Sequence, residues 1–224
     1  SNPHLVDTPQ RVPHDFEGFS VTHVSCGGGH TLVVNENGDV FATGSNSAGQ
    51  LGLADNDDRY GFVKLIVDNT NDASIVTAIA IARATNITNV SIIPVKFAFV
   101  CAGEEFSVMI SETKTVYTCG LGIAGALGHG EPLESLSYPR EVKYLTNIEE
   151  ASASGQSQVL AVSTTGEIYH WGTPGNLAQL ATLPEANVVV KEPVRFSSLS
   201  KRKQVRSLVC GRKHQLMVTV GAYA

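Results

Sequence analysis

The chain has 224 residues, 42% of them apolar and 17% charged, with 21 glycines, four cysteines and a formal net charge of −5. That composition supplies enough apolar surface for a real core and excludes a collagen-like, low-complexity or disulfide-stapled chain. The longest apolar run, Ile75 to Ala82, is far too short to cross a bilayer as a helix, so no membrane role is expected.

Taken in chain order, Val21 to Ser25 reads as a strand and is followed by the glycine turn Gly27-Gly28-Gly29. Next come His30 and two runs rich in β-branched residues, Thr31 to Asn35 and Val40 to Thr43, flanking Asn37-Gly38. Asn-Gly favours a hairpin, because the pair tolerates the positive φ of a type I′ turn. The stretch from Gly44 through Gly49 to Gly52 reads as an exposed loop, since its polar residues have no apolar face to bury. Gly61 to Val67 supplies a last strand. Ser74 to Ala84 fits a short helix or a strand equally well.

The pattern then recurs. Adding 76 carries Gly27, Val40, Gly44, Gly49, Leu51 and Gly52 onto Gly103, Val116, Gly120, Gly125, Leu127 and Gly128. Adding 128 places Gly155, Gly166 and Gly172 on Gly27, Gly38 and Gly44, and adding 184 places Gly211 and His214 on Gly27 and His30. In the second copy Thr113-Lys114 stands where the first has Asn37-Gly38, which predicts a different turn there. The repeats fall at about 21–54, 96–130, 149–183 and 205–224, the last one truncated, with an insertion at about 55–95. Insertions into a repeat emerge on one face, often the binding face, and this one carries Tyr60 and Phe62.

These glycine-spaced hairpins resemble the repeat of the regulator of chromosome condensation family. The resemblance implies an all-β fold, with β-propeller blades of four-stranded antiparallel sheets. WD-type and kelch signatures are missing. About three and a half blades cannot close a ring, because propellers close with four to eight. The arc is therefore expected to be an incomplete part of a seven-bladed propeller, finished by the rest of a longer polypeptide, by a different chain, or by a second copy. Thr8-Pro9-Gln10-Arg11-Val12 reads as the end of a preceding blade, in keeping with the first of these. The function implied is a noncatalytic protein–protein interaction scaffold. The alternative is guanine-nucleotide exchange on a small Ran-like GTPase, and a second alternative is chromatin or RNA docking. A light-sensing role like that of the plant ultraviolet receptor branch needs clustered tryptophans, and Trp171 stands alone.

Charge is uneven along the chain. Residues 191–224 carry +7 and the first 190 carry −12. Lys201, Arg202, Lys203 and Arg206 are the candidate contacts to an acidic partner or nucleic acid, with Tyr60 and Phe62 as candidate apolar contacts. No catalytic, cofactor or metal site emerges from the other motifs. Gly120-x-Gly122-x-x-Gly125 meets the letter of a dinucleotide fingerprint, but Gly128, Gly130 and Pro132 follow where a helix should. Asp55-Asn56-Asp57-Asp58 starts like a calcium loop, but Arg59 stands where an oxygen ligand belongs. Ser157 lacks the glycine frame of a nucleophile elbow. His30 and His214 share a repeat position with Phe106 and Gln158, which points to packing instead of catalysis. Cys26, Cys101, Cys119 and Cys210 form no C-x-x-C pair; Cys26 and Cys210 are expected in the core, and an intracellular, reducing compartment is the simpler expectation.

Overall fold

A computed structural model describes residues 8–68, 94–173, 189–196, 204–211 and 215–220. The ambiguous segment at 74–84, the basic residues Lys201, Arg202 and Lys203, and His214 lie outside these. The first sheet holds β1 (Val21–Cys26), β2 (His30–Asn35), β3 (Val40–Gly44) and β4 (Arg59–Lys64) in that order. The second holds β5 (Phe97–Ala102), β6 (Phe106–Ser111), β7 (Val116–Gly120) and β8 (Leu136–Glu141). The third holds β9 (Ile148–Ser154), β10 (Gln158–Ser163), β11 (Ile168–Gly172) and β12 (Val190–Arg195). A two-stranded sheet, β13 (Gln204–Cys210) with β14 (Gln215–Val220), follows. All pairings within the sheets are antiparallel, and the sheets stack as successive propeller blades without closing into a ring. β4 falls inside 55–95, so the stretch assigned to an insertion opens with a strand of blade one.

The middle strands are covered on both faces, so their mostly apolar residues and the few polar ones among them are buried alike. β6 and β10 are buried at every residue, so they show no alternation of apolar and polar positions. Leu32, Val34 and Ala42 of blade one pack with Phe97, Val100 and Met109 of blade two. Val108, Ile110 and Val116 pack with Val159, Ala161 and Trp171 of blade three. Leu160 and Ile168 pack with Val205 and Leu208 of the fourth sheet. The outer strands β8 and β12 contain Pro139 and Pro193, which an edge tolerates because no further strand needs their missing N–H.

The β2–β3 turn departs from the expectation. It is a three-residue loop in all three blades, in place of a type I′ turn in the first and a different turn in the second. The amides of Gly38, Lys114 and Gly166 donate to the carbonyls of Asn35, Ser111 and Ser163 at 3.0, 2.9 and 2.9 Å. Only the last loop residue is left-handed, with φ of +75°, +66° and +81°, while Asn37 stays out of that region. Lys114 therefore accepts the strain that glycine avoids in the other two copies. A short polar side chain braces each loop: Asn35 Oδ1 accepts from the Asp39 amide (2.9 Å), Ser111 Oγ from Thr115 (3.1 Å) and Ser163 Oγ from Glu167 (3.0 Å). The braced turn also seats the next blade, since the carbonyls of Gly38 and Lys114 accept from the amides of Phe97 and Ile148 at 2.9 and 3.0 Å.

The loop from Gly44 to Gly52 is the second correction, because it is a seam and not an exposed loop. Asn46, Gln50 and Leu51 are almost wholly buried. Polar residues can be buried here because each finds a partner nearby. Asn46 Oδ1 accepts from the Leu51 amide at 2.9 Å and its Nδ2 donates to the Asp55 carbonyl at 2.9 Å. The Gln50 carbonyl points into blade two and accepts from the Ser107 hydroxyl (2.7 Å) and the Cys119 thiol (3.7 Å). One blade further on, the equivalent Ala126 carbonyl accepts from the Trp171 indole N–H at 2.9 Å. Cys119 and Trp171 are themselves repeat equivalents, so the same junction is built twice with different donors.

His30 joins the first seam. Its Nε2 lies 2.9 Å from Ser107 Oγ, whose own proton goes to Gln50, so His30 is the donor and carries its proton on Nε2. Nδ1 is buried and has no hydrogen-bond partner among the described residues. Burial lowers the His30 pKa to about 4. Asp39 sits at the blade-one turn, 2.7 Å from Lys96 and 3.1 Å from Lys64, and Lys64 continues to Glu17 at 2.6 Å. Burial works against the Asp39 charge, but bonds from Lys96, Asn37 and Lys64 outweigh it and the pKa is lowered.

These contacts make two predictions. A Cβ on Gly103 would lie 2.0 Å from Phe106 Cε1, so Gly103→Val should lower stability by about 2 kcal/mol or more in a denaturant titration. For His30 the folded pKa is the depressed one, so its contribution is complete above pH 6.5 and declines as pH falls toward 4. Asp39 is likewise depressed and adds a loss as pH drops through the carboxylate range. Replacing His30 with Phe, the residue blade two carries at this position, should flatten the stability profile between pH 6.5 and 4, measured by thermal unfolding across pH.

Candidate interaction surfaces

The two aromatic residues singled out on β4 have different fates. Tyr60 is fully exposed at the outer edge of blade one, whereas Phe62 is half-buried against Phe16 (ring centroids 5.2 Å apart) and His14 (5.8 Å). Residues 14–20 fold over that side of blade one. Asn35 Nδ2 donates to the Phe16 carbonyl at 3.1 Å, and the Glu36 amide donates to the Ser20 carbonyl at 2.8 Å. Phe62 is thus a packing residue and Tyr60 alone is presented. Arg206 lies on β13, but its side chain is outside the described residues, as are Lys201, Arg202 and Lys203, so the basic cluster has no described geometry. Gly211 follows β13 and is half-buried.

A surface not singled out in the sequence lies on the outer rim between blades two and three. It is a groove of about 330 Å³ bounded by the β7–β8 loop, the end of β8 with the segment after it, and β12. Tyr144 and Tyr169 supply aromatic surface, and Pro132 and Pro193 supply rigid apolar walls. Tyr144 is fully exposed because its neighbours Val142 and Leu145 take the buried positions of the segment entering blade three. Its φ of +63° turns it out at that point. Four glutamates, Glu131, Glu134, Glu141 and Glu192, share the groove with Arg140 and Lys143, while Lys191 pairs with Glu131 at the margin. His129 also lines it. Its Nε2 contacts Thr118 Oγ1 at 2.9 Å, and burial, aided by Arg140 and Lys143, lowers its pKa to about 3, so it is neutral at pH 7.

At the inner ends of the blades the glycine turns converge. The Gly28 amide donates to the Glu104 carbonyl (3.0 Å) and the Glu104 amide to the Gly155 carbonyl (2.7 Å), which ties three blades together around an open mouth. Cys26 stands at this mouth and is exposed, contrary to the expectation of a core position; it lies on the face of β1 that no blade covers. Cys210 is buried as expected, and burial raises its thiol and that of Cys119 to about 12, so both stay protonated at neutral pH.

The motifs weighed for chemistry are absorbed by structure. A Cβ on Gly122 would lie 1.9 Å from the Glu134 carbonyl oxygen, so the glycine-rich stretch is pressed against protein and not open to a pyrophosphate. In the Asp55–Asp58 stretch, Asp55 is held by Arg59 at 2.5 Å, and Asp58 Oδ1 accepts from the Asn46 amide at 2.8 Å. Among the described residues no cluster of three or more His, Cys, Asp or Glu could hold a metal ion. What these surfaces offer is exposed aromatic and charged groups on a rigid frame, an arrangement suited to binding.

Comparison with known proteins agrees with this architecture. The regulator of chromosome condensation (RCC1) repeat matches residues 21–50 and again 115–162. The probable E3 ubiquitin-protein ligase HERC3 of Homo sapiens is 32% identical over 192 residues, which covers 84% of this chain and 16% of that protein. The secretion-regulating guanine nucleotide exchange factor of Mus musculus is 26% identical over 215 residues, covering 94% of this chain and 41% of that protein. Among solved structures, Prp20p from Saccharomyces cerevisiae, described with its binding properties to Gsp1p and histones, superposes with a TM-score of 0.70 at 17% identity, over 91% of this chain and 44% of that one. The chain thus spans less than half the length of each of these proteins. The recurring blades, their glycine-framed seams and these matches together make the chain a member of the regulator of chromosome condensation repeat family, with the fold of a partial β-propeller.

Proposed function

We propose that the chain is a noncatalytic interaction scaffold and forms part of a larger propeller. The observation that carries this reading is the outer rim, where Tyr60 and Tyr144 stand fully exposed on a frame whose polar loops are used up in holding blades together. Aromatic side chains presented this way are typical anchors of protein interfaces. A propeller fold supports many unrelated roles, so the site and not the fold has to carry the argument.

Two features support a ring that continues with further blades. Val209, Leu216 and Val218 are more than half exposed on the β13–β14 sheet, which has the inner pair of strands of a blade. Residues 8–12 are exposed and repeat an outer-strand pattern: Pro9 and Val12 correspond to Pro139 and Val142, and to Pro193 and Phe196. In the full blades the amides of Val142 and Phe196 donate to the first residue of the third strand, Val116 (2.8 Å) and Ile168 (2.7 Å). Residues 8–12 are suited to the same role beside the third strand of another blade.

The second reading is nucleotide exchange on a small GTPase, favoured by the 26% identity to the mouse exchange factor over 94% of this chain. A nucleotide-release assay on Ran-like GTPases separates the two. The scaffold reading expects release at the intrinsic rate, together with a partner complex weakened about tenfold or more by Tyr60→Ala or Tyr144→Ala in a binding titration. Accelerated release establishes exchange in its place.

A further inference from the structure

We propose that the rim groove between blades two and three docks an extended segment of a partner protein that carries a basic side chain. This rests on the scaffold reading and assigns it a site and a ligand class. Shape is the first argument. The groove runs between the outer strands of neighbouring blades, and prolines on two of its sides, Pro132 and Pro193, give walls that do not collapse when it is empty. Tyr144 stands free at its margin and Tyr169 is partly exposed within it, so two rings can take the faces of an arginine or lysine stem.

Charge selects the occupant. The lining carries four carboxylates against two cations, and His129 stays neutral in the physiological range, so it adds no positive charge. Glu131 is already answered by Lys191. Glu134 and Glu192 have no ion-pair partner among the described residues, and they reach the groove from two different elements, the β7–β8 loop and β12. A cation held between them would gain from both carboxylates and from the rings. An acidic or phosphorylated segment would meet Arg140 and Lys143 only after passing this excess of negative charge.

The test uses the 224-residue chain and two capped heptapeptides of alanine and proline, one with a central arginine and one with a central glutamate. Backbone amide shifts are followed by NMR as each peptide is added. The arginine peptide should perturb Gly128, Gly130, Tyr144 and Glu192 and bind about tenfold more tightly than the glutamate peptide, with the difference shrinking at high salt. The double variant Glu134→Lys/Glu192→Lys changes exposed residues, so it should fold normally and reverse the preference. Equal binding of the two peptides, shifts located elsewhere, no shifts at millimolar peptide, or a preference unchanged in the double variant would each overturn the proposal. Partner capture that survives in the double variant but is lost with Tyr60→Ala also contradicts the groove while leaving the scaffold reading intact.

Discussion

At each of the first two blade junctions a buried loop carbonyl of one blade is captured by side-chain donors of the next. In blade one it is Gln50, captured by Ser107 and Cys119 of blade two; in blade two it is Ala126, captured by Trp171 of blade three. A carbonyl buried between two apolar sheets costs on the order of 1–3 kcal/mol if it is left unpaired, so the next blade must arrive with a donor at the right height. That requirement links blade to blade more specifically than apolar packing, which tolerates sliding. The glycine-rich loop carrying the carbonyl has to lie flat enough to enter the seam, as the position of Gly49 shows: a Cβ there would lie 2.4 Å from Ser137 Cα of β8.

The same constraint shapes the electrostatics. His30 and His129 are both held neutral by burial and both contact a hydroxyl whose proton is committed to a carbonyl of the loop, Gln50 in one seam and Leu127 in the other. Charged groups gather in the mixed lining of the rim groove, where water reaches them, while the buried carboxylate of Asp39 at the blade-one turn is held between Lys64 and Lys96. The frame is therefore stiff inside and chemically varied at its rim. This division suits a protein that recognises others through side chains while its backbone stays fixed.

Much of the fold could be read from the glycines, because a β-hairpin repeat needs left-handed or side-chain-free positions at fixed intervals, and these leave a period in the sequence. The β2–β3 loop was misread because Asn-Gly is an equally good signal for a two-residue turn, and because Lys114 takes a conformation its side chain disfavours, held there by Ser111 and Ile148. The Gly44–Gly52 loop was misread because burial of Asn46 and Gln50 depends on hydrogen bonds to turns and to another blade, which a polarity count cannot register. Cys26 was placed in the core by analogy with Cys210, yet the two differ in whether a blade covers them. The rim groove joins Glu134, Tyr144 and Glu192 from two blades, so no local motif marks it. Its one sequence trace is the Val142-Lys143-Tyr144-Leu145 run, in which the aromatic falls between the two residues that turn inward.

The seam can be tested most directly by recording the ring nitrogens of His30 by long-range nitrogen–proton NMR on the folded chain. A neutral ring protonated on Nε2, unchanged from pH 8 to below pH 6, is what the Ser107–Gln50 arrangement requires. A ring that carries its proton on Nδ1, or that becomes charged near pH 6.5 as a solvated histidine does, would contradict the seam and with it the way the blades are joined.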